Sequence, residues 1–190
     1  MGESDTLRRI LDAAAPLFVE RGYQGVSMRE IGEAVGITKA ALYYHFKDKE
    51  ELFMAILRES LDEITVILDE SEAREATARG QIGRAMQGLF SLPAERRALI
   101  RVATQEMAHV SPEVRAAFNT VYQEKFVGRI VGMLRGGMAR GEVKPLDPQL
   151  AAWLLLGMAY PFFNAPHMAV SATQGARVLV DVFFEGLGAK

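Results

Sequence analysis

Apolar side chains recur at the i, i+3, i+4 and i+7 spacing of helices along most of the chain, and no stretch of useful length alternates apolar and polar residues. Glycine and proline separate these stretches, as they do at helix ends. The pattern predicts an all-α protein of about nine helices. We expect a small three-helix domain over residues 1–47 and a larger helical domain over 48–190, with the helix at 48–68 linking the two.

The start of the second helix is marked by an S-x-x-E pattern at Ser27 and Glu30. In this pattern the hydroxyl accepts a hydrogen bond from a backbone N–H three residues on, and the carboxylate reaches back to the cap. A helix should therefore begin at Met28. Gly36 should end it, because the residue just past a helix often adopts a positive φ, which glycine tolerates.

The third helix is barely two turns long and has an unusual outer surface. Thr38 should cap it, and Leu42 and Phe46, four residues apart, supply its inward stripe. Small side chains let a helix enter the major groove of DNA, while tyrosine, lysine and histidine can reach phosphates or base edges. Successive residues of a helix are 100° apart, so the outward face and its flanks carry Lys39, Ala40, Ala41, Tyr43, Tyr44 and His45.

The fourth helix adds a second feature that suits DNA. Asp48 and Glu51 should cap it, and two lysines stand beside its N-terminus, where backbone N–H groups favour phosphate. We therefore expect two elements to face the same duplex. The predicted DNA-contacting residues are Ser27, Thr38, Lys39, Ala40, Ala41, Tyr43, Tyr44, His45, Lys47 and Lys49.

The run from about Leu7 to Leu57 resembles the DNA-binding domain of the TetR family of bacterial transcriptional regulators. Its most specific part is residues 36–52, GITKAALYYHFKDKEEL. The family often has glycine, serine or threonine where this chain has two alanines, so hydroxyl contacts to DNA are missing there. The resemblance implies phosphate contacts from Tyr43, His45 and Lys49, and base contacts from Lys39, Ala40 and Tyr44.

The net charge of −2 is unusual for a protein that binds nucleic acid, since cations gain affinity by releasing counterions from phosphate. The local balance differs from the total. Between Gly36 and Lys49 there are three lysines and one aspartate, a local charge of +2 with the histidine neutral. This small patch predicts moderate non-specific binding and a requirement for two copies on one site.

The last two predicted helices are too apolar for the surface of a monomer. Large apolar side chains occupy every face over 151–163, and the last helix has a widened apolar stripe. Two copies packed as a four-helix bundle would bury this excess, as the family resemblance also implies, and would place two recognition helices about 34 to 36 Å apart on a pseudo-palindromic site. The predicted dimerisation residues are Leu155, Phe162, Val180, Phe183 and Phe184.

The middle helices are rich in aromatic residues and methionine, which suit an adaptable cavity, and the resemblance implies an effector site among them. Most of these side chains are expected to be ordinary core. A few polar ones could orient a largely apolar ligand. The candidate ligand-binding residues are Arg101, Gln105, His109, Phe118, Asn119, Tyr122, Phe126, Trp153, Tyr160 and Phe163.

Several function classes find no support in the sequence. There is no cysteine, and His109 and His167 lie far apart without a nearby ligand partner, so we expect no metal, no cofactor and a reducing cytoplasm. No nucleophile-base arrangement or phosphate-binding glycine loop suggests an enzyme. The longest apolar run has thirteen residues and contains Pro161, whereas a membrane-spanning helix needs about 20.

These observations predict a homodimeric, ligand-responsive transcriptional regulator that acts as a repressor. It would occupy a pseudo-palindromic operator on double-stranded DNA until a small, largely apolar or aromatic effector binds. The alternative, motivated by the acidic net charge, is a ligand-binding or interaction protein of the same fold that no longer reads DNA. An enzyme built into the helical cavity is a third reading without residue-level support.

Overall fold

The structure, a computed structural model, describes residues 3–164 and 170–187. Within these residues there are helices and no extended strand, which confirms the all-α prediction. A 3-10 turn follows α6 at Met107–His109, and a π-helical segment, Gln123–Val127, follows α7 and leads directly into α8. The helices are α1 (Glu3–Arg21), α2 (Met28–Val35), α3 (Lys39–His45), α4 (Lys49–Arg74), α5 (Ala78–Ser91), α6 (Ala94–Glu106), α7 (Pro112–Tyr122), α8 (Gly128–Ala139), α9 (Pro148–Asn164) and α10 (Ala172–Leu187).

The caps predicted near the N-terminus are formed. Ser27 and Glu30 make the reciprocal capping box of α2, and Gly36 follows α2 with φ of 75°. The Thr38 hydroxyl accepts a hydrogen bond from the Ala41 N–H at 3.1 Å and starts α3. Because both ends of the α2–α3 turn are closed by local hydrogen bonds, the short α3 is set firmly against α2.

The fourth helix is longer than predicted. The charged segment 69–79 predicts a loose joint, but α4 continues to Arg74, and two of its acidic residues, Asp69 and Glu72, are exposed and paired. Arg129 bonds Asp69 and Glu72 at 2.8 and 2.7 Å. The Ser71 hydroxyl is buried and donates to the Ile67 carbonyl. The sequence also predicts a loop over 164–169, but Asn164 ends α9, and 165–169 lie outside the described residues.

The helices form two compact units. The first contains the residues up to Ser60 together with Ala94–Phe118, and the second contains Leu61–Pro93 with the residues from Asn119 onward. The helix α4 contributes its first part to one unit and the rest to the other. The boundary at residue 47 divides the chain differently, and it stays a prediction.

An aromatic cluster supports the first unit. The Phe18 ring lies 5.1 Å from that of Phe53, and the Tyr23 ring lies 5.0 Å from the same Phe53. Ile31 of α2 and Leu42 of α3 are fully buried. These contacts pack α1, α2 and α3 around the beginning of α4, which leaves the opposite side of α3 for solvent.

The second unit depends on close helix contacts at glycine. A Cβ on Gly137 would lie 2.5 Å from the Cβ of Ala78, and one on Gly88 would lie 2.5 Å from a methyl carbon of Ile67. Any larger residue there would push α5 away from α8 or α4. Beside them the ring of Phe90 stacks on that of Phe162 at 4.5 Å.

Candidate DNA-binding surface and the other predicted sites

The outer face of α3 is exposed as predicted. The Tyr44 side chain is 76% exposed and Tyr43 is 42% exposed, whereas Leu42 and Phe46 are buried on the opposite side. Lys39 and Ala40 are also exposed, and Ala41 and His45 are half-buried. A two-turn helix therefore presents two tyrosines, a lysine and a small residue on one surface.

Local contacts orient the side chains on this face. The Lys39 ammonium lies 5.6 Å from the centroid of the Tyr43 ring, and the Tyr44 and His45 rings meet edge to face at 5.2 Å. The face therefore has a cation at its N-terminal end and aromatic hydroxyls along its length, which is a chemistry suited to phosphates and base edges.

Two of the predicted contact residues use their side chains to cap helices. The Ser27 hydroxyl donates to Glu30 at 2.6 Å, and hydrogen bonding from Ser27 holds the pKa of the Glu30 carboxyl below its usual range. The Thr38 hydroxyl accepts from Ala41, as described above. Both residues are exposed. Their contribution to DNA contact stays a prediction, while their structural role is visible in the geometry.

The two lysines at the start of α4 differ sharply. Lys47 is exposed, and its backbone N–H donates to the Glu51 carboxylate at 2.8 Å. Lys49 is half-buried, and its ammonium donates to the carbonyl oxygens of Tyr23 and Val26 at 2.7 and 2.8 Å. Burial lowers the pKa of Lys49. The two lysines, two residues apart, therefore differ in exposure, and the DNA contact predicted for each stays a prediction.

The comparisons with known proteins match this architecture. Residues 10–56 match the family described as bacterial regulatory proteins, tetR family, and residues 75–161 match a tetracyclin repressor-like C-terminal domain. The transcriptional repressor AcnR of Corynebacterium efficiens is 32% identical over 176 residues, which are 92% of this chain and 88% of that protein. The chain belongs to the TetR family of bacterial transcriptional regulators.

Two further proteins resemble the chain over most of its length. The fatty acid metabolism regulator protein of Bacillus subtilis is 27% identical over 150 residues, 78% of this chain and 77% of that protein. The structure of AibR in complex with isovaleryl coenzyme A and operator DNA superimposes with a TM-score of 0.81 and 27% identity, covering 94% of this chain and 98% of that one. The family match and the relatives whose names include regulator or repressor confirm a transcriptional regulator rather than an enzyme.

The predicted effector residues of this TetR-family regulator occupy different environments. Phe118 and Phe126 are buried, and Tyr122 lies with its ring 5.5 Å from that of Phe126. Burial raises the pKa of Tyr122 to about 12. The Phe163 ring meets that of Phe90 at 5.5 Å. Arg101 is half-buried, and the exposed members are Gln105, His109, Asn119, Trp153 and Tyr160. Their role in binding a ligand stays a prediction.

The apolar side chains that α9 and α10 expose are not the ones singled out from the sequence. Of the predicted dimerisation residues, Phe162 stacks on Phe90, and the other four are buried within the chain: Leu155, Val180, Phe183 and Phe184. The exposed apolar set, called here the α9–α10 face, has side chains 45–57% exposed: Leu150, Trp153, Leu154, Val178 and Val182. Its i, i+3, i+4 spacing was readable in the sequence, but apolar residues all around α9 concealed it.

Two other features of the TetR-family chain concern metals and membranes. Within residues 3–164 and 170–187, no three histidine or acidic side chains cluster in a way that could hold a metal ion. Over the same residues, no helix has the length and apolar character required to cross a membrane.

Proposed function

We propose that this TetR-family regulator is a repressor that reads a pseudo-palindromic operator as a homodimer and releases it when a small, largely apolar effector binds. The outer face of α3 is the observation that carries the proposal. Tyr44, the most exposed aromatic side chain described, stands on the side of α3 opposite the buried Leu42. An exposed phenol beside a lysine and an alanine on a two-turn helix suits contact with phosphates and base edges, so the partner proposed for this face is DNA.

The arrangement of α3 supports a division of contacts. Ala40 and Tyr44 lie on the central outward strip of α3 and, with Lys39 on its flank beside Tyr43, are assigned to base edges in the major groove. Tyr43, His45 and Lys47 lie on its flanks or just beyond its end and are assigned to phosphates. Ala41 is small enough to allow α3 a close approach to the duplex, while Thr38 caps α3 and Ser27 caps α2.

The α9–α10 face supports the homodimer. Its five exposed apolar side chains lie on two helices that pack against each other, and a water-exposed aliphatic surface of this kind marks a protein interface. A second copy presenting the same residues would cover it through a two-fold axis. The buried Leu155, Phe183 and Phe184 then act beneath the interface, as its support.

The effector is assigned to the acyl-coenzyme A class, in which the acyl chain is the apolar part and is joined to a charged nucleotide. AibR is described with isovaleryl coenzyme A and operator DNA together, and another relative is named a fatty acid metabolism regulator. In this chain the second unit contains aromatic rings in mutual contact around Phe90 and Phe126, which suit an acyl chain. Effector binding would shift α4, which contributes to both units, and a coupling of about 1 to 3 kcal/mol would weaken operator binding roughly 5- to 150-fold.

The first experiment selects an operator from random duplex DNA and measures its affinity by fluorescence anisotropy. Tyr44→Ala should weaken binding about tenfold or more, the scale of one base contact, and Tyr44→Phe separates the hydroxyl from the ring. Lys144→Ala, far along the sequence in the second unit, is the control. If selection enriches no sequence, the alternative of a ligand-binding protein that has lost DNA reading takes its place.

Effector release is tested on the same complex. Isovaleryl coenzyme A is added to the operator complex, with coenzyme A alone as the control for the nucleotide part. Weakening by the thioester and not by coenzyme A supports an acyl-responsive repressor. No change with isovaleryl coenzyme A or with a long-chain acyl-coenzyme A would contradict the assigned effector class while leaving DNA reading intact.

A further inference from the structure

The structure contains a groove between α5 and α10 that the sequence did not indicate. Its volume is about 470 Å³, which is in the range of small-molecule sites, and both of its walls belong to the second compact unit. It is called here the α5–α10 groove. Its lining combines glycine with charged side chains, among them Glu75, Arg79, Gly83, Arg84, Arg177 and Asp181.

The three arginines of the groove are each held by a carboxylate. Asp181 on α10 accepts from Arg79 on α5 at 2.5 Å and lies 3.7 Å from Arg177. Glu75 accepts from Arg84 at 3.1 Å. Each of these contacts is made by one nitrogen of a guanidinium group that has five N–H donors in all. The arginine side chains are 42–82% exposed, so donors remain available to a ligand.

The charge of the lining favours an anion. Three guanidinium groups and two carboxylates give the groove a charge of +1, in a chain whose net charge is −2. Guanidinium groups suit phosphate because their planar fork of donors can bind two of its oxygens at once. Carboxylates that already hold the arginines in place reduce the side-chain freedom lost on binding. Three such groups on two helices therefore suit a ligand with several phosphates.

The same side of α5 continues from the groove to the aromatic contacts described above. Gly83 lines the groove, and Phe90 lies seven residues further on, at nearly the same angle around the helix. On the turn between them, Gln87 donates to the Thr173 hydroxyl of α10 at 3.4 Å. Since a helix rises 1.5 Å per residue, Arg79 lies about 16 Å from Phe90 along α5. A charged region and an aromatic region are therefore separated along one helix.

We propose that the α5–α10 groove binds the phosphates of an acyl-coenzyme A, with the pantetheine arm passing Gln87 and Thr173 and the thioester directed towards Phe90. An acyl-coenzyme A has its phosphates at one end of a long amide-containing arm and its acyl chain at the other. It therefore needs a cationic subsite and an apolar subsite some distance apart, and α5 contributes to both. The inference rests on the effector class proposed above.

Calorimetry without DNA tests the groove directly. Isovaleryl coenzyme A is titrated into the wild-type protein and into the double variant Arg84→Met, Arg177→Met, both well below their melting temperatures. We expect the double variant to bind about tenfold or more weakly, the scale of a lost charge-assisted hydrogen bond. Arg135→Met is the matched control, because Arg135 is an exposed arginine on α8 that does not line the groove. It should bind as the wild type does.

The outcomes separate this inference from the effector class. Equal affinity of the wild type and the double variant would overturn the groove as the phosphate site and leave the effector class intact. An equal loss in Arg135→Met would also overturn it, since the effect would then be one of net charge. Failure of the wild type to bind either isovaleryl coenzyme A or a long-chain acyl-coenzyme A would overturn both proposals.

Wild-type protein supplies a second measurement if the double variant does not fold. Phenylglyoxal modifies arginine, and mass spectrometry reports the rate at each position with and without saturating isovaleryl coenzyme A. We expect the ligand to slow the modification of Arg84 and Arg177 and to leave that of Arg135 unchanged. Unchanged rates at the two groove arginines in the saturated protein would contradict the assignment.

Discussion

Two exposed surfaces of this TetR-family regulator have similar accessibility and different chemistry. On α3, Tyr43 and Tyr44 are 42% and 76% exposed and stand beside a lysine and an alanine. On the α9–α10 face, Leu154 and Val182 are 50% and 57% exposed, and the exposed apolar neighbours are aliphatic apart from one tryptophan. Amphipathic aromatics and cations suit a charged, hydrogen-bonding partner such as DNA, whereas aliphatic side chains gain only from being covered by another apolar surface.

The support beneath each surface also differs. The α3 face depends on a two-turn helix with a few inward side chains and local caps, so small changes there should alter DNA reading alone. The α9–α10 face lies on two long helices above buried Leu155 and Phe183. Damage to one surface should therefore leave the other intact, and the following variants test that separation.

Leu42→Ala should have the largest effect, because Leu42 is fully buried and supplies much of the inward stripe of α3. Truncation of a buried leucine costs about 2 to 5 kcal/mol of stability. We expect operator binding to be lost while the dimer persists in sedimentation velocity. Leu7→Ala, at a leucine 38% exposed on α1, should cost less than about 0.5 kcal/mol. Equal losses in the two variants would show that α3 is not anchored by Leu42.

Val182→Glu should prevent dimerisation through the α9–α10 face. A carboxylate at the centre of an aliphatic interface would remain unpaired, so we expect monomers at micromolar concentration and operator affinity lower by roughly 100-fold, about 2.7 kcal/mol. Val66→Glu is the matched control, because Val66 on α4 has the same 57% exposure. A dimeric Val182→Glu protein would place the interface elsewhere.

Thr38→Ala should have a smaller effect limited to the start of α3. Loss of the hydroxyl that accepts from the Ala41 N–H costs about 1 kcal/mol, and Thr38→Ser should retain most of it. Hydrogen exchange at the Ala41 amide reports the change directly. Unaltered exchange in Thr38→Ala would mean that the cap does not hold this turn.

Ionisation of the Tyr122 phenol should be observed only at strongly alkaline pH. Burial raises its pKa to about 12 from an ordinary value near 10, so the neutral phenol is favoured in the folded state. Its contribution to stability is complete below about pH 10 and is lost as the pH rises towards 12. Absorbance at alkaline pH should show a late tyrosine step that Tyr122→Phe removes. Titration of Tyr122 with the exposed tyrosines would contradict its burial.

The predictable and unpredictable parts of the molecule differ for physical reasons. The caps at Ser27 and Thr38 and the turn at Gly36 depend on neighbours within three residues, so the pattern alone located them. The end of α4 was misplaced because its acidic residues find a partner in Arg129, nearly 60 residues away. The π-helical segment at 123–127 has no sequence signal of comparable strength.

The candidate sites were likewise predictable where their contacts are local in the sequence. The outward face of α3 was predictable because a two-turn helix with two inward residues has one possible orientation. For α9 and α10, periodicity indicated an excess of apolar residues without saying which of them the chain itself would cover. Leu155 and Phe183 are buried, whereas Leu154 and Val182 are exposed. The internal bonds of Lys49 depend on carbonyls, which every residue has, and so left no trace in the sequence.

The composition of the first compact unit has a consequence for how the chain is made. This unit contains the recognition helix and also includes Ala94–Phe118, and within it the Glu50 carboxylate accepts hydrogen bonds from Ser111, 61 positions away. During synthesis the DNA-reading end therefore emerges from the ribosome long before the segment that completes its packing. A gene fragment that stops after the first four helices would encode the whole reading surface and lack part of the scaffold that holds it.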